Sequence, residues 1–77
     1  MLYGMASRKE MSHINDLCRI IQKEGQIDKV DLVMRSRISI SLFEKLRPFL
    51  LKLHQDKIMY DKDSKLFKAL VSLNAAS

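Results

Sequence analysis

The sequence is poor in several residues that would indicate particular classes of protein. Its 77 residues include one cysteine, one proline, two glycines and no tryptophan. A single cysteine cannot form a disulfide within the chain, which fits a reducing compartment, and Cys18 is interpreted as a small buried apolar side chain. So little glycine and proline excludes collagen-like and linker-like chains.

Long apolar runs and targeting patterns are also missing. No stretch approaches the roughly 18 apolar residues that a membrane-spanning helix requires. Residues 1–7 lack a basic segment followed by an apolar one, so no signal peptide is evident. We therefore expect a cytoplasmic protein without a membrane partner.

The sequence also lacks the usual signs of catalysis. It has no glycine-rich phosphate loop, no metal-ligand spacing and no set of residues that could form a catalytic triad. His13 and His54 are interpreted as surface or helix-capping residues, because a cation at a helix C-terminus is favoured by the helix dipole. We expect no enzymatic activity, no catalytic residues, no metal ion, no cofactor and no small-molecule ligand.

The chain does have an ordinary apolar content and an excess of positive charge. Apolar residues make up 47% of it, and the net charge is +5. Its length predicts a single domain over residues 1–77, with the core in 8–70 and a flexible segment at 1–6. A basic domain attracts polyanions such as nucleic acid, although a charge of this size also serves solubility.

The first helix is predicted from about residue 8 to residue 24. Ser7 and Glu10 have the spacing of a capping box, and Gly25 follows where a helix C-terminus favours a left-handed residue. Apolar residues recur between these limits at helical spacing. They are Met11, Ile14, Leu17, Cys18 and Ile21.

Two further helices are predicted, separated by a serine-containing turn over residues 36–41. Asp28 caps a short helix over about 29–35, with an apolar stripe of Val30, Val33 and Met34 and with Leu32 nearby. Ser41 and Glu44 repeat the capping-box spacing and begin a helix that ends near His54. Its stripe is the clearest in the chain: Leu42, Phe43, Leu46, Phe49, Leu50 and Leu53.

Two features of the third helix leave alternatives open. Pro48 predicts a kink, because the apolar stripe continues in phase across it, although a break with a new helix is the other interpretation. Glu44 is interpreted first as the capping partner of Ser41 and otherwise as a base contact.

After His54 the period changes to that of strands. Residues 58–60 and 65–70 are predicted strands around a turn at 61–64. The fold class is therefore α+β, with three helices followed by a two-stranded hairpin. Because a lone hairpin is unstable in water, it must pack on the helices. We expect part of the stripe of the third helix to pack against Ile14, Leu17 and Ile21 of the first. The residues concerned are Phe43, Leu46, Phe49 and Leu50.

Residues 38–50, with the sequence ISISLFEKLRPFL, resemble the turn and recognition helix of archaeal-type winged helix-turn-helix transcriptional regulators. The resemblance extends over about residues 27–70. It implies a winged-helix fold, binding of double-stranded DNA by the helix at about 41–54, and a nucleoid-associated regulator. The chain departs from the family pattern where a glycine usually precedes the first wing strand. Asp56 is the candidate for a positive φ there, and the wing turn carries the acidic residues Asp61 and Asp63.

The predicted DNA contacts are basic and hydroxyl side chains around this motif. Arg35 and Arg37 would bind phosphates, Ser41 and Lys45 would meet base edges, and the lysines of the hairpin would give the wing its charge. The full set is Arg35, Arg37, Ser39, Ser41, Lys45, Arg47, Lys52, Lys57, Lys62 and Lys65.

Other functions remain open at this stage. The same fold can serve as a protein-interaction adaptor in a larger complex, or it can bind RNA. A neutral recognition face with an exposed Leu51 at its centre would favour the adaptor. A homodimer through Leu51, Ile20 and the terminal segments is a further expectation.

Overall fold

The computed structural model describes residues 7–70, so the predicted flexibility of residues 1–6 lies outside the described part. It contains three helices and three strands in a mixed order. The helices are α1 (Arg8–Glu24), α2 (Lys29–Ser36) and α3 (Ile40–Leu53), and the strands are β1 (Gln26–Asp28), β2 (Ile58–Asp61) and β3 (Leu66–Ala69). The α+β class is confirmed.

Helix α1 has the predicted bounds, and both of its ends form as expected. The Glu10 backbone N–H donates to Ser7 Oγ at 3.2 Å, and the Ser7 N–H donates to a Glu10 carboxylate oxygen at 2.9 Å. Gly25 has a φ of 84°, a region open to glycine at no steric cost, and its N–H donates to the Ile21 carbonyl. The capping box and Gly25 therefore set the two ends of α1 through contacts between residues close together along the chain.

Helix α2 begins at the predicted residue, but its buried side was predicted wrongly. Its only buried residue is Leu32, whereas Val30 and Met34 of the expected stripe are 60% and 70% exposed. The helix has only about two turns, and one residue of phase is about 100°, so clustered apolar residues do not define a face. Ser36 adds one residue to its predicted length.

Helix α3 begins one residue earlier than predicted, with a different cap. Ser39 is the N-cap, and its hydroxyl accepts the Leu42 N–H at 3.1 Å. The predicted capping box of Ser41 and Glu44 is therefore wrong. Ser39 and Ser41 are both suitable N-cap residues. The short chain reversal after α2 places Ser39 in the extended conformation that an N-cap requires.

Pro48 does not break α3, so the alternative with two separate helices is wrong. Its side chain lies on the exposed side of the helix. The pyrrolidine ring therefore costs one backbone hydrogen bond without a clash inside the core.

The sheet has three antiparallel strands in the order β1-β3-β2, so the predicted two-stranded hairpin was incomplete. The additional strand, β1, pairs Ile27 with Phe67 on the second edge of β3. Three residues are too few to show a strand alternation in the sequence, and only the free edge of β3 makes this segment a strand.

The hairpin itself was predicted correctly to within one residue. Asp61 belongs to β2 and pairs with Leu66, and the hairpin turn spans 62–65. Lys65 has a φ of 59° in this turn. Asp56 does not have the expected positive φ, because the reversal after α3 closes with hydrogen bonds from the N–H groups of residues 57 and 58 to the His54 carbonyl.

The core lies between the helices and the inner side of the sheet. Leu46 and Leu50 of α3 share it with the predicted α1 partners. Phe43 packs edge-on against Phe67 of β3, with ring centroids 5.8 Å apart. Phe49 is only partly buried, because it lies about 100° around the helix from the fully buried Leu50. Leu53, the last residue of α3, is 49% exposed. The buried set is Ile14, Leu17, Cys18, Ile21, Ile27, Leu32, Phe43, Leu46, Leu50, Ile58 and Phe67.

No helix within residues 7–70 is long and apolar enough to span a bilayer.

Candidate nucleic-acid interface

The side of α3 that faces away from the core is formed by five exposed residues, and we call it the outer side of α3. They are Ser41, Glu44, Lys45, Pro48 and Lys52. The helix is preceded by α2 and a turn of three residues, which places its N-terminal half next to the α2–α3 turn. The first turn of α3 carries no acidic residue.

Lys45 is held by a carboxylate of α1. Its ammonium lies 2.9 Å from Glu10 Oε2, while the other carboxylate oxygen of Glu10 accepts the Ser7 N–H. The hydrogen bond from the Ser7 backbone, followed by that from Lys45, lowers the pKa of Glu10. The side chain of Lys45 remains 65% exposed, so the pair is a surface contact that a phosphate could replace.

Glu44 is likewise paired with another element. Its Oε2 accepts a hydrogen bond from the Lys29 ammonium, at the start of α2, at 2.8 Å. This bond lowers the pKa of the Glu44 carboxyl. Glu44 therefore serves neither as the predicted capping partner nor as an uncompensated negative charge on the outer side of α3.

Arg47 points towards the sheet and not towards solvent. Its guanidinium carbon lies 4.4 Å from the ring centroid of Tyr60 and 5.5 Å from that of Phe67. The two rings are themselves 4.7 Å apart. This cation–π stack connects α3 to β2 and β3, and it fixes the position of the hairpin beside the helix.

Arg35 contacts the end of α1. Its Nη1 lies 3.0 Å from Glu24 Oε2, and both side chains remain partly exposed. To bind a phosphate as predicted, Arg35 would have to leave Glu24 or bind both groups at once.

Four of the predicted cations differ from Lys45, Arg47 and Arg35 in their contacts. Within the described part of the chain, none of the four forms an ion pair with an acidic side chain. All four are exposed. Arg37 lies in the α2–α3 turn with a φ of 60°, and Lys52 lies on the outer side of α3. Lys62 and Lys65 lie in the hairpin turn.

Lys57 lies at the opposite end of the hairpin from that turn. The ladder runs from the pair of Ile58 with Ala69 to the pair of Asp61 with Leu66, and the Lys57 carbonyl accepts the Leu70 N–H beyond the first of these. Lys57 therefore does not join the other predicted contacts. It lines an open groove of about 390 Å³ with Asn15, Cys18, Arg19, Gln22 and His54.

The groove is polar, and two of its lining side chains contact each other at His54, the C-cap residue of α3. The His54 Nε2 lies 3.1 Å from Asn15 Oδ1. Burial, and then the nearby Lys57, lower the pKa of His54, and burial raises the pKa of Cys18. These shifts favour neutral forms of both groups, as expected for structural residues.

The acidic residue at the base of the hairpin turn is compensated. Asp61 Oδ2 accepts a hydrogen bond from the Lys68 ammonium at 2.9 Å, and Oδ1 accepts the Asp63 N–H at 3.0 Å. The bond from Lys68, and then that from the Asp63 backbone, lower the pKa of Asp61 to about 2. The turn therefore carries Lys62 and Lys65, which have no acidic partner among the described residues, with the exposed Asp63 between them and the compensated carboxylate of Asp61 beside them.

Two side chains expected at an exposed interface are not exposed. Leu51 and Ile20 are partly buried and pack against the core. The centre of the outer side of α3 is therefore Pro48 and its hydrophilic neighbours, and not Leu51.

The sequence patterns missed three residues that engage charged side chains of α3. Glu10, Lys29 and Tyr60 act through contacts with α3 that are distant along the chain. No local spacing in the sequence relates Glu10 or Lys29 to α3. Their opposite charges alone do not identify them as the partners of Lys45 and Glu44.

Within residues 7–70, no group of three or more His, Cys, Asp or Glu side chains could hold a metal ion. Comparisons with protein-family models, with curated proteins and with solved structures find no match to this chain.

Proposed function

We propose that the protein binds double-stranded DNA as a winged helix-turn-helix domain, with α3 as the recognition helix and the hairpin as the wing. The element order and the sheet order β1-β3-β2 support this assignment. So does the contact of Arg47 with Tyr60, which holds the hairpin beside α3. Transcriptional regulation of the archaeal type, and association with the nucleoid, belong to the same proposal.

The observation that carries the proposal is the distribution of cations that have no acidic partner among residues 7–70. Arg37 precedes α3, Lys52 lies on its outer side, and Lys62 and Lys65 lie on the hairpin beside it. Cations before, on and beside a recognition helix can bind phosphates along the groove that the helix occupies.

Base contacts would come from the N-terminal half of α3. Ser41 is exposed in its first turn, and Lys45 lies one turn later. For Lys45 to reach a guanine, its ammonium must leave Glu10. We therefore expect phosphate contacts to dominate the affinity and sequence preference to be modest.

A titration with random duplex DNA at several salt concentrations tests the proposal. Three or four phosphate contacts predict that log affinity falls with log salt at a slope of about −3 to −4. Arg37→Ala should make the slope shallower by about one. Arg19→Ala, which removes an exposed arginine from the groove beside Lys57, is the matched control and should leave the slope unchanged.

A second candidate function is that of a protein-interaction adaptor. The observation that favours it is the pairing of Lys45 with Glu10 and of Glu44 with Lys29, which compensates both charged groups in the N-terminal half of the outer side of α3. An absence of binding to duplex DNA at low salt, or binding without salt dependence, would contradict DNA binding and favour the adaptor.

A further inference from the structure

The outward side of α2 is apolar at its centre. Val30 is 60% exposed and Met34 is 70% exposed, the highest values of any large apolar side chain within residues 7–70. The two residues are four positions apart, so they are neighbours on one side of the helix. Leu32 is fully buried on the opposite side and accounts for the packing of α2 on the core.

Two opposite charges lie along one flank of this apolar pair. Asp31 and Arg35 follow Val30 and Met34 by one position each, and both are exposed. No ion pair joins Asp31 to a cation in the described part of the chain. Arg35 uses one nitrogen for Glu24 and has further N–H groups for a second acceptor.

We propose that this face of α2 binds the same face of a second copy of the chain. A two-fold axis perpendicular to two antiparallel α2 helices brings Val30 against Met34 of the partner subunit. The same operation keeps the charged flanks on one side and reverses their direction. Asp31 then approaches Arg35 of the partner subunit, so the pattern is complementary to itself in both charge and apolar contact.

The size of the face sets the strength of this association. One two-turn helix from each copy buries much less than the roughly 1,600 Å² of a standard protein interface. The expected dimer is therefore weak, with a dissociation constant of about 10 µM to 1 mM. It involves neither Leu51 nor Ile20, which pack against the core.

Sedimentation equilibrium of the full chain without nucleic acid tests the proposal independently of DNA binding. A dimer should appear as the concentration rises from about 10 µM to about 1 mM. Met34→Gln should weaken it by about tenfold or more, because the substitution places an amide in the apolar contact. Leu53→Gln is the matched control, an exposed apolar residue on α3, and it should leave the dimer unchanged.

Charge reversal provides a second test that separates an interface from a folding defect. Asp31→Arg and Arg35→Asp alone should each weaken the dimer, since like charges then face each other across the axis. The double variant should recover it, with circular dichroism checking the fold of each. A chain that stays monomeric at all concentrations overturns the proposal, as does a dimer that loses affinity with Leu53→Gln and not with Met34→Gln.

Discussion

Helix α3 and the hairpin beside it both carry cations, but their cations differ in what they contact. Lys45 and Arg47 of α3 are engaged by Glu10 and by Tyr60. Lys62 and Lys65 of the turn have no acidic partner among the described residues. A count of basic residues therefore overestimates the charge that α3 offers to a polyanion, whereas in the hairpin turn only the exposed Asp63 offsets the charge of the two lysines.

The two engagements on α3 also differ from each other in strength. The pair of Lys45 with Glu10 is exposed, and exposed ion pairs contribute about 0–1 kcal/mol. The stack of Arg47 involves two aromatic rings, one of them Phe67 in the core. Under the proposed function we therefore expect Lys45 to exchange its partner for a phosphate or a base, and Arg47 to act through its stack on the hairpin.

The largest expected effect is a loss of stability caused by a substitution on the buried side of α3. Leu46→Ala removes a fully buried side chain and should lower the free energy of unfolding by about 2–5 kcal/mol in a urea melt. Leu53→Ala at the exposed end of the same helix is the control and should cost under about 1 kcal/mol. A loss below about 0.5 kcal/mol for Leu46→Ala would contradict the packing of α3 described above.

A smaller effect separates Arg47 from the lysines of the hairpin turn. Arg47→Ala removes the cation–π stack and should lower stability by about 0.5–2 kcal/mol. It should leave the salt slope of DNA binding unchanged, because the guanidinium is engaged by the rings of Tyr60 and Phe67. Lys62→Ala should do the opposite, with little change in stability and a slope shallower by about one. A shallower slope for Arg47→Ala would show that Arg47 binds phosphate.

A still smaller effect would release the charge of Lys45. Glu10→Gln keeps an oxygen for the capping box and removes the carboxylate that holds Lys45. Affinity for duplex DNA at low salt should rise a few-fold, and the slope should steepen by up to about one. Glu24→Gln is a comparable change at the ion pair of Arg35, where the slope should change less because Arg35 lies on α2 beside α1. Unchanged affinity for Glu10→Gln would contradict a role of Lys45 in binding.

The smallest expected effect concerns the pH dependence of the hairpin. The pKa of Asp61 is about 2 in the folded protein against an ordinary value of 3.8, mainly through its bond with Lys68. Its stabilising contribution is complete above the ordinary pKa and is lost as the pH falls from about 4 to about 2. Urea melts in this range, compared with Asp61→Asn, should show the two proteins converging in stability as the pH falls. A constant difference would contradict the pKa shift.

The helices and strands that were predicted best are those whose sequence signals act between residues close together along the chain. Helix α1 was predicted with its bounds, because Ser7, Glu10 and Gly25 act on residues within one turn. The hairpin was predicted to within one residue for a similar reason, since its strands and turn are consecutive. Strand β1 was missed because Ile27 becomes part of a strand only through Phe67, which lies far along the chain.

The candidate site shows the same division. Its cations were identified from the sequence, but their partners Glu10, Lys29 and Tyr60 were not. The exposed pair on α2 was also assigned to the wrong side, because Val30, Leu32 and Met34 are all apolar and a short helix does not reveal which of them the core takes.

By itself, the sequence determined the α+β class, the three helices, the hairpin and the net positive charge, because capping residues, apolar periodicity and composition act locally or simply add up. The tertiary structure alone decided which strand completes the sheet, which side of α2 is buried and which cations remain without an acidic partner among residues 7–70. Those outcomes depend on contacts between residues distant along the chain, and such contacts exist only once the helices and the sheet have packed.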